Sequence, residues 1–282
     1  MKKIETLLQY QELMNATRIR YNILFSNNYY MLEEVQRYIE LSRMYYEELD
    51  GGLILIYDEE RYYRVCLYIL PEATFRIPDL NKRVVIRNIY RKNQKADMTK
   101  SVEKRLEVLG FQHTGTTVQL RADVQDILER CKYQERFVRA MERKGYCCKA
   151  APKEKCLEIQ DFLIKSEIIK DYHIDYLESQ NYQEGAYIYL ISPDNKMCAA
   201  SAATIKDGVA YGIGIAIEDK YKLKGLTSVL GYYRAKWLYD NGIKSIRAWA
   251  LVTNDASLQY HTSLGYKLSN RFADEWIRGT KE

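Results

Sequence analysis

Two segments in the second half of the chain carry residue types that could bind an anionic ligand and move a proton. The first is Lys222-Leu-Lys-Gly-Leu-Thr227, which follows a predicted strand over 211–217 and precedes a predicted helix over 226–239. A glycine turn before a helix exposes backbone N–H groups that suit a phosphate. The helix dipole contributes only about 0.3–1 kcal/mol, so charge-assisted hydrogen bonds of about 1.5–3 kcal/mol each must provide most of the binding.

The second segment runs from Asn254 to Tyr266 and begins twenty-seven residues after Thr227, with a predicted strand over 245–252 between them. The phenol of Tyr260, with an ordinary pKa of about 10, stays protonated at neutral pH and can donate a proton. Asn254 is also a favoured helix N-cap residue, a role that needs no ligand. His261 is expected on another side of the helix, as a packing or surface residue. Neither a Walker loop nor a dinucleotide-binding G-x-G-x-x-G pattern is present.

Taken together, the two segments resemble the GNAT N-acyltransferase superfamily. Its pyrophosphate loop has the pattern [Q/R]-x-x-G-x-[G/A], and its second motif has the pattern N-x-x-[A/S]-x-x-x-Y-x-x-x-G-[F/Y]. The close resemblance covers about 184–276, and the first half is similar only in layout. Lys222 replaces the usual Arg or Gln, and Thr227 replaces the usual Gly or Ala. The β-branched Thr227 could either hydrogen-bond a phosphate or crowd it.

The resemblance implies an enzyme, an N-acetyltransferase that moves an acetyl group from acetyl-CoA to an amine by direct attack in a ternary complex. Tyr260 would protonate the departing thiolate, and strand 213–217, including Ile215 and Ile217, would hold the pantetheine arm and polarise the thioester carbonyl. Asn254 would hydrogen-bond the pantetheine, with Ser257 in the same motif. Backbone N–H groups would cradle the pyrophosphate along Lys222, Leu223, Lys224, Gly225, Leu226 and Thr227. The acceptor is expected to be a small-molecule or peptide amine.

The general base is the least defined part of this predicted site. Glu218 is the candidate, because it follows the strand that would carry the thioester. A water-mediated route, or an amine that arrives already deprotonated, is as plausible. A non-catalytic acyl-CoA sensor or interaction module, which keeps the phosphate loop and lacks turnover, therefore remains the alternative function.

Alternating helix and strand periods predict an α/β layout. The resemblance implies an α/β (α+β) chain of two GNAT-like domains, each a mixed, mostly antiparallel sheet flanked by helices. Both halves contain a hairpin after a glycine and a helix closed by Leu-Gly-aromatic, which favours a duplication. The first copy has no K-x-x-G loop, and the alignment gives it Thr99 and Arg105 in place of Asn254 and Tyr260. The predicted domains are a degenerate copy over 1–122, a connecting helix over 123–144 and the acyl-CoA-binding domain over 145–282.

Charge and composition limit the partners and the location that can be expected for this protein. The 282 residues have a net charge of +5, and residues 1–150 account for all of it, with nine Lys and Arg between 82 and 105. Only Tyr90 accompanies that basic run, which argues against a nucleic-acid partner. The six cysteines have no paired spacing, which indicates free thiols in a cytoplasmic protein. The three histidines are scattered, so no metal site is expected, and no apolar run is long enough to predict a membrane span. The oligomeric state is left open, and most of the 26 tyrosines have no assigned role.

Overall fold

The structure is a computed structural model. It describes residues 1–21, 25–70, 72–92, 97–180, 186–222 and 224–279, without the side chains of 97–99, 178 and 180. The chain divides into two compact units. The N-terminal unit comprises residues 1–117 and 270–282, and the C-terminal unit comprises residues 118–269.

The N-terminal unit contains a mixed sheet and three helices. Its helices are α1 (Leu7–Arg20), α2 (Leu32–Glu40) and α3 (Asp97–Val108). Its strands are β1 (Lys2–Lys3), β2 (Phe25–Ser26), β3 (Met44–Leu49), β4 (Gly52–Asp58), β5 (Tyr62–Ile69), β6 (Arg83–Arg91), the first half of β7 (Gln112–Asp123) and most of β13 (Lys267–Arg278).

Antiparallel pairs join β1 to β3, β3 to β4, β4 to β5 and β6 to β13, whereas β5 and β6 are parallel. Both faces of β4 and β5 are buried, which explains why these strands read as continuous apolar runs. On one face, Ile54, Ile56, Val65 and other strand residues pack against Val102 and Leu106 of α3. This apolar layer fixes the sheet on α3.

A buried charge in this unit accounts for part of the tyrosine excess. The carboxylate of Glu59 accepts hydrogen bonds from the hydroxyls of Tyr30 at 2.6 Å and Tyr38 at 2.7 Å. The Nε atom of Arg64 lies 3.6 Å from the same carboxylate, and a terminal nitrogen of Arg64 donates to the hydroxyl of Tyr62 at 2.6 Å. Glu59 and Arg64 are each only 3% exposed, so the phenols supply the hydrogen bonds that buried charges need.

The C-terminal unit contains mixed, mostly antiparallel strands with helices on both faces. Its strands are the second half of β7, β8 (Cys147–Ala150), β9 (Ile188–Ile191), β10 (Met197–Lys206), β11 (Val209–Ile217) and β12 (Ser245–Leu251). Its helices are α4 (Val124–Cys131), α5 (Glu135–Arg143), α6 (Lys153–Lys165), α7 (Tyr176–Gln180), α8 (Leu226–Asp240) and α9 (Asp255–Ser263).

Strands β8, β9, β10 and β11 pair antiparallel in that order, and β12 lies parallel to β11. Ala200 and Ala202 face a core formed with Cys156, Ile159 and Leu163 of α6. Cys198 and Ala199 pack with α5 and α8 residues that include Val138, Leu226 and Val229. The predicted class, a mostly antiparallel mixed sheet flanked by helices, is confirmed in both units.

The division of the chain differs from the predicted boundaries at two places. The segment 123–144 is not a separate linker: it forms α4 and α5, with a short 3-10 turn between them, and both belong to the C-terminal unit. The last strand belongs to the N-terminal unit, because residues 271–278 of β13 pair with residues 84–91 of β6. Pairing between residues this far apart leaves no local sequence pattern.

In the part of the chain that the structure describes, no disulfide joins the six cysteines and no cluster of three His, Cys, Asp or Glu side chains could hold a metal ion. Among the same residues, no helix has the length and apolar character needed to cross a bilayer.

Candidate functional site

The candidate site begins where two parallel strands separate. Strands β11 and β12 pair from Val209 opposite Ser245 to Tyr211 opposite Arg247, and no further pair joins them among the described residues. Strand β11 continues to Ile217, held on its other side by β10. The stretch 213–217, with Ile215 and Ile217, therefore borders a cleft with its backbone unpaired on the β12 side.

A β-bulge marks the point of separation. Ala203 of β10 lies opposite Gly212 and Ala202 lies opposite Gly214, so Ile213 is an extra residue in β11. A bulge bends its strand and increases the local twist, which turns β11 away from β12. Glycines at positions 212 and 214 flank the extra residue, as is common at bulges.

The predicted phosphate loop lies at the end of the same cleft, between β11 and α8. Gly225 is the N-cap of α8 with φ of +73°, a left-handed conformation that favours glycine. Leu226, which is fully buried, anchors the first turn in the core, and Thr227 is partly buried. The N–H of Ser228 donates to the carbonyl of Gly225 at 3.0 Å, whereas the N–H groups of Leu226 and Thr227, at the first two positions of α8, have no acceptor within the helix. Leu223 lies outside the described residues.

The two lysines of the loop are exposed and already have partners. The Nζ atom of Lys222 lies 2.6 Å from Oδ1 of Asp219. The Nζ atom of Lys224 lies 4.9 Å from the centre of the Tyr221 ring, and Tyr221 is buried. Surface ion pairs of this kind contribute little to stability, about 0–1 kcal/mol, so both ammonium groups can turn to a ligand at small cost.

The second motif forms the start of α9. Asn254 caps this helix, because its Oδ1 accepts a hydrogen bond from the backbone N–H of Ser257 at 2.9 Å. The capping role proposed for Asn254 is therefore present, and its amide Nδ2 has no hydrogen-bond partner within the described chain. The Ser257 hydroxyl lies 3.4 Å from Nδ1 of His261. Asn254 thus immediately precedes α9, and Ser257 lies in its first turn.

Tyr260 extends from α9 to the first two turns of α8. Its hydroxyl donates a long hydrogen bond of 3.4 Å to the backbone carbonyl of Thr227 and lies over Gly231. A Cβ atom at Gly231 would be 2.9 Å from that hydroxyl, so only glycine leaves room for it. Burial raises the pKa of Tyr260 well above its usual value of 10, which keeps the phenol protonated. The structure thus brings a proton donor to the helix end that carries the loop.

His261 is held neutral beside Tyr260. Its Nδ1–H donates to the backbone carbonyl of Ser257 at 2.7 Å, and burial, aided by the charge of Arg234, lowers the pKa of His261 to about 4. Arg234 is only 4% exposed and donates to the hydroxyls of Ser201 and Tyr266, with no carboxylate partner among the described residues. His261 also packs edge-on against Tyr266, which agrees with the packing role expected for it.

Glu218, the candidate base, lies at the end of β11. Its backbone N–H donates to the carbonyl of Cys198, and its carboxylate lies 3.6 Å from Nζ of Lys220. The Glu218 side chain is 43% exposed. It therefore lies at the rim of the strand end, where it can exchange protons with water.

The contact between Phe137 and the loop was not anticipated from the sequence. A Cβ atom at Gly225 would be 2.6 Å from a ring carbon of Phe137, a residue of α5 that is 38% exposed. Gly231 was missed as well, although a glycine inside a helix costs about 1 kcal/mol relative to alanine and so signals a packing or functional requirement.

The N-terminal unit has the same strand separation, but its cleft is filled. Strands β5 and β6 pair only from Tyr62 opposite Arg83 to Arg64 opposite Val85. The segment Phe25–Ser26 pairs with the far end of β5. Asn27 bridges both strands: its Nδ2 donates to the carbonyls of Val65 and Arg87, and its Oδ1 accepts from the N–H of Leu67.

The position of the first copy that aligns with Tyr260 also lacks a phenol. Arg105, at the position aligned with Tyr260, donates to the carbonyl of Phe75 at 3.2 Å. The Thr99 side chain lies outside the described residues. Within the basic run, Lys82 is paired with Asp58 at 2.7 Å and Arg87 with Glu275 at 3.6 Å, so part of its charge is neutralised locally.

No protein-family model matches the chain, and no curated protein matches it. Solved structures do. A GCN5-related N-acetyltransferase from Sphaerobacter thermophilus is 10% identical with a TM-score of 0.51, covering 100% of this chain and 95% of that one. A GCN5-related N-acetyltransferase from Kribbella flavida is 12% identical with a TM-score of 0.51, covering 84% and 90%. A Drosophila protein is 10% identical with a TM-score of 0.55, covering 97% and 96%. The chain has the fold of the GCN5-related N-acetyltransferase (GNAT) superfamily.

Proposed function

We propose that the protein is an N-acetyltransferase that binds acetyl-CoA in the cleft of its C-terminal unit and transfers the acetyl group to a small-molecule or peptide amine. The observation that carries this proposal is the separation of β11 from β12 beside a helix end with a left-handed glycine. An extended, polar pantetheine arm needs backbone partners along its length, and the unpaired edge of 213–217 offers them. The proposal includes a cytoplasmic location.

The loop residues suit the diphosphate of the coenzyme. The N–H groups of Leu226 and Thr227 point out of the end of α8 without an acceptor in the helix, and a helix end of this kind binds phosphate. Lys222 and Lys224 add positive charge at the same end. The backbone carbonyl of Thr227 accepts the hydrogen bond from Tyr260. The side chain of Thr227 stands where the family's loop pattern has Gly or Ala, next to the proposed phosphate position.

Direct attack requires a donor for the leaving thiolate. The acceptor nitrogen bonds to the thioester carbonyl carbon, the C–S bond breaks, and the thiolate takes the proton of Tyr260, whose phenolate then regains a proton from water. Burial keeps that proton on the phenol throughout the neutral pH range. Backbone N–H groups of 213–217 would stabilise the charge that develops on the carbonyl oxygen. Asn254, through its Nδ2, and Ser257 would hold the pantetheine next to Tyr260.

The acceptor amine must lose a proton, and Glu218 is proposed to take it, directly or through water. Because Glu218 is half-exposed and paired with Lys220, its carboxylate can pass the proton to solvent. The same exposure favours the second candidate function, a non-catalytic acyl-CoA sensor, because a base at the rim gives little control over proton transfer. Turnover distinguishes the two.

The N-terminal unit is proposed to be a degenerate copy of the C-terminal one. Both contain a hairpin followed by a parallel neighbour from which it separates after three residue pairs. In the N-terminal copy, Phe25, Ser26 and Asn27 occupy the bonds that a pantetheine would use. This unit would therefore bind no coenzyme.

Thermal unfolding with and without acetyl-CoA tests the proposed ligand. A ligand at 100 times its dissociation constant stabilises the folded state by about 2.7 kcal/mol. The proposal predicts a rise in the midpoint, and an unchanged midpoint at millimolar acetyl-CoA would contradict it. A panel of amines, amino acids and peptides then tests turnover. Tyr260→Phe should slow the reaction, whereas Tyr239→Phe, an exposed tyrosine on α8, should not.

A further inference from the structure

One face of α5 carries three exposed arginines. Arg136, Arg139 and Arg143 line a cavity of 620 Å³ together with Glu142. They are spaced three and four residues apart, so they project from one side of the helix. We call this side the arginine face. It has no part in the motifs that pointed to the fold.

The charge of the arginine face is only partly neutralised. Glu142 accepts a hydrogen bond from the hydroxyl of Tyr233 on α8, and Arg139 is paired with Glu135 at 2.8 Å. Arg136 and Arg143 have no acidic partner among the described residues. Two guanidinium groups are therefore available to one anion, and their planar forks match the oxygen atoms of a phosphate.

The arginine face lies next to the phosphate loop. Phe137, the neighbour of Arg136, rests against Gly225, where an added Cβ would meet its ring at 2.6 Å. Val138, on the same turn of α5, packs in one core with Leu226 of α8. Because α5 rises 1.5 Å per residue, Arg136 and Arg143 lie about 10 Å apart along it. The cavity is thus within one or two helical turns of the loop.

We propose that the arginine face binds the 3′-phosphate of coenzyme A, and this inference rests on the proposed function. Coenzyme A carries a phosphate monoester on its ribose in addition to its diphosphate, and such a group has a charge of about −1.5 to −2 at neutral pH. The end of α8 serves the diphosphate. Lys222 and Lys224 lie in the loop that serves the diphosphate, so the second phosphate needs other cations. Arg136 and Arg143 lie on the helix that contacts this loop through Phe137.

The test compares acetyl-CoA with 3′-dephospho-acetyl-CoA by calorimetry on the full chain. The wild-type protein should bind acetyl-CoA at least about tenfold more tightly, since one charge-assisted contact corresponds to about a factor of ten. Arg136→Gln/Arg143→Gln should lose this preference and bind the dephospho analogue as the wild type does. Glutamine keeps the helix propensity, so the fold is expected to persist, and the thermal midpoint checks it.

The control is Arg18→Gln/Arg20→Gln, which removes the same charge from the exposed end of α1 and should keep the preference. Equal wild-type affinities for the two ligands would overturn the inference and leave the proposed function standing. A preference that survives in the α5 variant, or that the control loses equally, would also overturn it. Failure of the wild type to bind either ligand would overturn both proposals.

Discussion

Gly231→Ala places a methyl group on α8 against the hydroxyl of Tyr260, the proposed proton donor. A Cβ at position 231 would be 2.9 Å from the Tyr260 hydroxyl and 3.6 Å from a methyl group of Leu264. The hydroxyl must move by about 0.5 Å to reach an ordinary contact distance. Its hydrogen bond to the Thr227 carbonyl, already 3.4 Å long, would then be lost.

The expected effects on stability and on rate are different. Alanine in a helix gains about 0.8–1 kcal/mol over glycine, and the lost hydrogen bond costs about 0.5–1.5 kcal/mol. The free energy of unfolding should therefore change by less than about 1 kcal/mol. A positioned general acid contributes about 10²–10⁴-fold to rate, so Tyr260→Phe should remove about that factor. Misplacing the phenol in Gly231→Ala should cost at least about tenfold in kcat.

Four proteins complete the assay: the wild type, Gly231→Ala, Tyr260→Phe and the double variant. Turnover of acetyl-CoA is measured with the best acceptor of the amine panel, and stability is measured by urea unfolding. Phenylalanine has no hydroxyl for the new Cβ to displace, so the double variant should be as active as Tyr260→Phe alone. A Gly231→Ala variant with full activity, or an equal loss in both backgrounds, would refute the role given to the Tyr260 hydroxyl.

Three further predictions concern other parts of the chain. Calorimetry should find one acetyl-CoA per chain, because residues 25–27 fill the second cleft; two equivalent sites would contradict this. Glu59→Gln should lower the free energy of urea unfolding by about 3–5 kcal/mol, since Arg64 stays buried without its carboxylate, and a loss below about 1 kcal/mol would count against it. His261 has a folded pKa of about 4 and an ordinary value of 6.5. Between pH 4 and pH 6.5 the imidazole of His261 is therefore protonated in the unfolded chain and neutral in the folded chain. The free energy of unfolding should fall by up to about 3 kcal/mol as the pH drops from 6.5 to 4. His261→Gln should flatten that slope.

Much of the fold was predictable because its signals are local. Gly225, Asn254 and Gly265 mark helix ends through cap chemistry, and helices α8 and α9 begin at the residues that follow the first two. Strand β7 was not predicted, since its residues Gln112–Asp123 are mostly polar and exposed at the start. Its position depends on partners elsewhere in the chain, such as Asp274, which accepts from Thr116.

The composition of the site was predictable, but its packing was not. The loop, Asn254 and Tyr260 were identified from their resemblance to the two GNAT motifs, and Gly225, Asn254 and Tyr260 lie on the elements expected for them. The contacts of Tyr260 with Gly231, of Phe137 with Gly225 and of Asn27 with β5 join residues far apart in sequence. Such contacts depend on how helices and strands pack, and no periodic pattern encodes them.

The central claim is that acetyl-CoA binds along β11 and at the start of α8, and hydrogen–deuterium exchange tests it most directly. Exchange is followed by mass spectrometry with and without saturating acetyl-CoA. Slower exchange is predicted in peptides covering 209–217 and 224–228, whereas peptides covering 62–69 should be unchanged, because Asn27 and β2 already hold that strand. Unchanged exchange in 209–217 and 224–228, or protection of 62–69 instead, would contradict the account.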